Sequence, residues 1–319
     1  TIFLVIFFII SYWLSASPSK LVDRIGKILT PCLLIAILAL IVKSFISPLG
    51  DPLSATPEYG TATLAAVQGF LDGYNTMDAI ASLVFAILVV EFVVEAGAST
   101  PSEITFDVFK SGVVAVSCLA FVYIFIAKIG ADSVTAIGMQ ETGAPVLSLC
   151  AKILFGEAGA MLLAVIVLLA CLSTSIGLIT SCATYFQQIL GGFGYKTYAA
   201  IFSVISFAVA MFGLKTIITA AIPVLMFIYP IVVALVILTF LHKLFGGRQC
   251  VYAWTIGLTL IPAFVTGLQT AKIPLGAVDT FFSTTVPLHS LGMSWLCFAV
   301  VGFVIGLAWK AAVSSKTAA

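Results

Sequence analysis

Charge is what this sequence has least of. Fourteen Lys and Arg and thirteen Asp and Glu make up 8% of its 319 residues, where soluble domains carry about 25%. The net charge is +1, which excludes a basic nucleic-acid surface. There are two histidines, His242 and His289. They fall at the polar ends of different apolar segments and read as interfacial side chains rather than ligands. No HExxH, GxSxG or paired-histidine pattern occurs, so the chemistry of a metalloprotease or a serine hydrolase is not written here, and the chain does not read as an enzyme. The seven cysteines (Cys32, Cys118, Cys150, Cys171, Cys182, Cys250 and Cys297) are scattered, odd in number and without a CxxC pair. They read as packing residues, not as a disulfide framework or a metal cluster.

What remains is apolar. Hydrophobic residues make up 62% of the chain and the mean hydropathy is +1.24. A chain this long and this apolar reads as an all-α polytopic membrane protein whose main partner is the lipid bilayer. Apolar runs of about 20 residues fall near 1–16, 24–47, 64–94, 107–130, 159–190, 197–213, 216–242, 251–269 and 288–311. The connector 131–158 holds an amphipathic stretch, APVLSLCAKILFG, which fits either an interfacial or re-entrant helix or a plain loop helix. Pro31, Pro223 and Pro230 fall inside spans and predict kinks rather than breaks. The chain opens in TIFLVIFFIISYWL with no initiator Met, basic n-region or cleavage site. That run is no signal peptide. It reads as the remains of a span, in a single transmembrane domain, residues 1–319, lacking its N-terminal part.

Loop lysines and arginines set the orientation. One set of alternate loops holds Lys20, Arg24, Lys27, Lys110, Lys196, Lys243, Arg248, Lys310 and Lys316; the other holds Lys43, Lys128, Lys152, Lys215 and Lys272. The first set is read as cytoplasmic, which puts the C-terminus inside and 48–63 outside. GKILTPCLLIAILALIVK and LKTIITAAIPVLMFIYPIVVALVI both place a proline early after a basic residue. They lie five spans apart and so run in opposite directions, a weak trace of an inverted repeat.

The third run, LAAVQGFLDGYNTMDAIASLVFAILVVEFVV, is broken by Gly69, Asp72, Gly73, Asn75 and Asp78. A charge at the bilayer centre costs at least about 2.5–3.5 kcal/mol, and backbone that leaves the helix there must be covered by protein or line a cavity. An interrupted span of this kind is the best sequence pointer to a transporter's binding site; glycines used for a close helix crossing are the plainer reading. Asp72 reads as solvated near the external end. Asp78 reads as a proton carrier or as a hydrogen bond across the break. Glu91 and Glu95, one turn apart, read as solvated end charges, as partners for loop lysines or as part of a gate.

The fifth run, LLACLSTSIGLITSCATYF, sets Ser173, Gly177 and Ser181 at spacings of four, with Thr174 and Ser175 alongside. On a helix this is a small polar stripe. It fits a packing seam or a cation site, because hydroxyl and carbonyl oxygens suit a hard cation such as Na+.

These residues also carry a resemblance. GFLDGYNTMDAIASLVFAI resembles the sixth span of the branched-chain amino acid–cation symporters of the BrnQ type. GKILTPCLLIAILALI is similar to their fifth span, ACLSTSIGLITSCATYF to their eighth and AAIPVLMFIYP to their tenth. The resemblance covers nearly the whole chain and implies spans four to twelve of a twelve-span protein. It further implies a LeuT-like five-plus-five inverted-repeat fold in a bacterial plasma membrane. The substrate (leucine, isoleucine or valine) would meet the unwound residues Gly73, Tyr74, Asn75, Thr76 and Met77, with Asp78 just beyond. A coupling Na+ would sit between the family's first span and Ser173 and Thr174. No organic cofactor, protein partner or nucleic acid is implied. Proton coupling, a permease for other small neutral amino acids, and an uncoupled channel remain the alternatives.

Overall fold

The computed structural model describes residues 2–16, 30–51, 59–140 and 142–317. The segment bearing Lys20, Arg24 and Lys27, and residues 52–58, lie outside the described residues. Every regular element among the described residues is helical: α1 Ile2–Ser15, α2 Thr30–Ile46, α3 Ala62–Asp72, α4 Asp78–Glu95, α5 Pro101–Ile137, α6 Gly143–Phe155, α7 Glu157–Leu190, α8 Tyr195–Ala210, α9 Leu214–Phe240, α10 His242–Phe245, α11 Gln249–Thr270, α12 Ala277–Thr285 and α13 Ser294–Thr317. Five of these, α5, α7, α9, α11 and the first part of α13, are long and apolar enough to cross a bilayer, while α1, α2, α6 and α8 are apolar but shorter. In the most apolar window of α5 only 6% of residues are buried; Phe109, Val114 and Ile124 stand exposed on it. An apolar surface of this extent suits lipid rather than water. The chain is a multi-pass membrane protein.

One helix is much longer than predicted. α5 extends beyond 107–130 at both ends and spans 37 residues. Its start is fixed by Thr100 and Glu103, which form a capping box with Pro101 in the first turn; this satisfies N–H groups that a helix otherwise leaves unmet. Near its end Lys128 pairs with Asp132 one turn on. α6 buries one face and exposes the other, with Leu149 and Ile153 outward. Cys150, Ala151 and Leu154 are buried with Leu40 and Ile41 of α2 and Ile129 of α5. α6 turns into α7 at Gly156, whose φ of 63° is a left-handed value that glycine tolerates best. A side chain at Gly159 would lie 1.8 Å from the Ala151 carbonyl oxygen, so the two helices meet backbone to backbone. α9 runs through Pro223 and Pro230 without interruption.

The chain divides into two compact units, Thr1–Ser54 with Val84–Met211, and Ala55–Leu83 with Phe212–Ala319. In the first, α7 is the hub: α1 and α8 pack on its C-terminal half through Ile179, Ala183, Tyr198 and Ala199, and the C-terminal half of α4 lies on Leu172 and Ile176 through Phe85 and Leu88. In the second, α9, α11 and α13 pack together. Ala234, Trp295 and Ala299 form one cluster and Leu238, Phe245 and Val251 another. Gly302 and Gly306 make the α11–α13 crossing close. A Cβ on Gly302 would lie 2.6 Å from the Trp254 carbonyl oxygen, and one on Gly306 2.7 Å from Val251 Cα. This is the small-residue seam that lets helices associate in lipid, where burying apolar surface gains little.

Candidate functional site

Helical geometry fails where the sequence predicts it. α3 ends at Asp72, a 3-10 turn occupies Gly73–Thr76, and α4 restarts at Asp78. Met77, between the two, has φ 62°. A non-glycine residue held there costs about 1–2 kcal/mol, and such strain persists only where the surroundings enforce it. The Gly73 N–H is returned to the carbonyls of Gly69 and Leu71, and the Thr76 hydroxyl donates to the Gly73 carbonyl at 2.8 Å. The first turn of α4 leaves N–H groups with no intrahelical acceptor; regular bonding resumes with Ala81 N–H to the Met77 carbonyl at 2.9 Å. The positive end of the α4 dipole therefore opens onto the break. Gly73, Thr76 and Met77 are exposed and Asp78 is half-buried.

One side chain that carries no mark in the sequence supports this break. Tyr229 of α9 is 2% exposed and packs with Leu225 against Leu71 and Ile80. Its hydroxyl faces the backbone of Ala79 and Ile80 and the Thr76 hydroxyl, with the Asp78 carboxylate close by. In sequence, a tyrosine inside an apolar run carries no mark that separates a lipid-facing ring from one aimed at a helix break.

Asp72 is not simply solvated. It is half-buried, and it accepts from the Tyr59 hydroxyl and, at 3.0 Å, from Gln68 Nε2. The Gln68 partner lies one turn back on α3 and follows from helix spacing; Tyr59 lies before the Thr61 cap and is brought in by the chain's entry into α3. The effect is to fasten the end of α3 next to the break.

The stripe on α7 belongs to the other compact unit. Ser173 is half-buried and donates to the Ala170 carbonyl at 3.0 Å; Thr174 is exposed. Gly177 is a packing position: a Cβ there would lie 2.7 Å from Cε1 of Phe85 on α4. Ser181 is buried with no hydrogen-bond partner. The seam reading thus holds at Gly177, while Ser173 and Thr174 keep oxygens that a cation could use. Glu95 is exposed and Glu91 half-buried, and both line a cavity with Thr180, Tyr195 and Lys196. Among the described residues no group of three or more His, Cys, Asp or Glu side chains is placed to hold a metal.

Comparison with known proteins bears on this arrangement directly. The chain matches the family described as "Branched-chain amino acid transport protein" over residues 1–313. It is 40% identical over 307 residues to the branched-chain amino acid permease BraB of Bacillus subtilis, covering 96% of this chain and 68% of the relative. It is 37% identical over 305 residues to the permease BrnQ of the same organism, covering 96% and 69%. To the branched-chain amino acid transport system 2 carrier protein of Pseudomonas aeruginosa it is 35% identical over 306 residues, again covering 96% and 69%. No solved structure matches it. A helix broken at glycine and polar residues inside a multi-pass bundle is thus found in a chain that belongs to the branched-chain amino acid transport protein family.

Proposed function

We propose that this protein is a secondary active transporter that moves leucine, isoleucine and valine across a bacterial plasma membrane by alternating access, with Na+ as the coupling ion. The observation that carries the reading is the break at Gly73–Met77 in a chain matching this family throughout. A branched-chain amino acid has a zwitterionic head and an apolar tail. Within a membrane, only unwound backbone and helix ends offer the head its donors and acceptors. The N–H groups at the α4 N-terminus suit the carboxylate; the carbonyls of Gly73 to Met77, with the Asp78 carboxylate just beyond, suit the ammonium. The tail needs an apolar pocket, where one methylene is worth about 1–3 kcal/mol, so leucine, isoleucine and valine are expected to compete with one another.

Uphill transport needs a driving ion. A single charge moving down 100 mV gains about 2.3 kcal/mol, enough for a roughly fiftyfold concentration ratio. The hydroxyls of Ser173 and Thr174 are the proposed protein ligands for Na+, and α2 and α9 the inverted partners of a LeuT-like repeat. The C-terminus is assigned to the cytoplasm from the loop charges. The test is leucine uptake by the full-length protein in liposomes. An imposed inward Na+ gradient should drive accumulation without a pH gradient. Accumulation driven only by a proton gradient would move the coupling role to Asp78, and large ohmic currents unaffected by saturating leucine would replace the transporter by a channel.

A further inference from the structure

Negative charge is almost missing from the helices of the second compact unit. Between 212 and 319 the one acidic residue is Asp279, which accepts from Gln269 Nε2 at 2.8 Å beside the C-terminal end of α11. At the opposite end α9 stops, α11 starts and α13 stops. The close crossing there sets Gly306 against Val251, and Cys250 Sγ lies 3.9 Å from the Gly306 carbonyl oxygen. Arg248, Gln249 and Cys250 from the start of α11, and Trp309 and Lys310 from α13, line a cavity of about 240 Å³. Lys310 is half-buried, and among the described residues neither it nor Arg248 is paired with a carboxylate. Two cations held on one cavity repel each other, and an anion placed between them relieves that repulsion. The Trp254 and Trp309 rings lie 6.0 Å apart at the same end, and both are exposed. Tryptophan exposed near the end of a spanning helix sits at the level of the lipid headgroups.

We propose that this cavity binds the phosphate of an anionic phospholipid from the surrounding bilayer, with Arg248 and Lys310 as its cationic partners and the Trp254–Trp309 pair against the glycerol and the upper acyl chain. The guanidinium fork of Arg matches two phosphate oxygens, and Lys adds a point charge. Basic pockets between spanning helices suit headgroups of this kind. Because α11 begins at the cavity, the positive end of its dipole adds to the same field. A free anion would use the charges and leave the exposed rings unused; a lipid uses both. A zwitterionic lipid carries its own ammonium, which this field repels. Binding here needs neither amino acid nor coupling ion and does not rest on the transport reading.

Native mass spectrometry of the purified full-length protein, delipidated in detergent and titrated with phosphatidylglycerol or phosphatidylcholine, tests this. The tightest phosphatidylglycerol should bind about tenfold more tightly than phosphatidylcholine. Arg248→Gln and Lys310→Gln should each weaken that component by about fivefold, the worth of one cation near an anionic headgroup. Lys215→Gln, at the other end of α9, should leave it unchanged. Gln249→Lys adds a cation to the cavity wall and should tighten it by about fivefold, a gain that misfolding cannot imitate. The proposal is overturned if the two lipids bind alike or if the Arg248 and Lys310 variants bind phosphatidylglycerol as the parent does. It is also overturned if inorganic phosphate at matched ionic strength displaces the lipid, which would make the cavity a site for free anions. A protein that binds the lipid here yet accumulates no leucine would refute the transport reading alone.

Discussion

Tyr229→Phe is the sharpest perturbation of the broken helix, because it removes one oxygen and keeps the ring. At 2% exposure the vacated position is closed to water. The packing against Leu71 and Ile80 is retained, so the change isolates the hydroxyl from the fold. A buried polar group left unmet costs about 1–3 kcal/mol. Thr76 is exposed and can turn to solvent, which removes its share of that cost. Ala79 is exposed as well, so the remaining loss falls on the half-buried Ile80 end of the α4 first turn, and about 1 kcal/mol is the appropriate figure. If the unwound geometry binds the amino acid, that cost is taken from affinity: leucine should bind about fivefold more weakly. Titration calorimetry on the full-length protein, with a melting curve alongside, reads both quantities. Tyr198→Phe is the control. Its hydroxyl donates to the Gly191 carbonyl at 2.7 Å at the end of α7, and its loss should lower stability without touching leucine affinity. If Tyr229→Phe binds leucine as tightly as the parent, the break does not hold the substrate and the argument from α9 fails.

Two further outcomes follow from named positions. Thr174→Ala should raise the Na+ concentration needed for half-maximal leucine binding, with saturating Na+ restoring most of it through linkage; an unchanged requirement in both Thr174→Ala and Ser173→Ala would leave this part of α7 as a packing face. Gly302→Ala should force α13 away from Trp254 and Thr255, since the new Cβ would lie 2.6 Å from a backbone oxygen. Overpacking of this kind costs about 1–3 kcal/mol, to be seen as a lower melting temperature, whereas Gly257→Ala, with open space at its Cβ, should melt as the parent does.

The break was legible because glycine and carboxylate in an apolar run conflict with a continuous helix, and that conflict is local. The limits of α5 were less legible: its apolar run is shorter than the helix, and the capping box at Thr100 and Glu103 lies in polar sequence that reads as connector. The Gly302–Gly306 seam was present in the letters, but four-residue glycine spacing does not say which helix will meet it. Tyr229 and the Tyr59–Asp72 bond were not legible at all. Each depends on which groups the fold brings opposite one another, and the pattern along a single helix holds no record of its partner.

The α6–α7 crossing has a consequence for how the chain is assembled. Its closest approach, Gly159 against Ala151, joins residues eight positions apart, and its turn carries the Lys152–Glu157 ion pair at 2.8 Å. Contacts this local form quickly, because little loop entropy is lost in closing them. Synthesis proceeds from the N-terminus, so this hairpin is complete before α9, α11 and α13 exist. Residues 143–190 are therefore an early-forming element on which α1 and α8 can settle, and a bulky substitution at Gly159 would act on the order of assembly as well as on the finished protein.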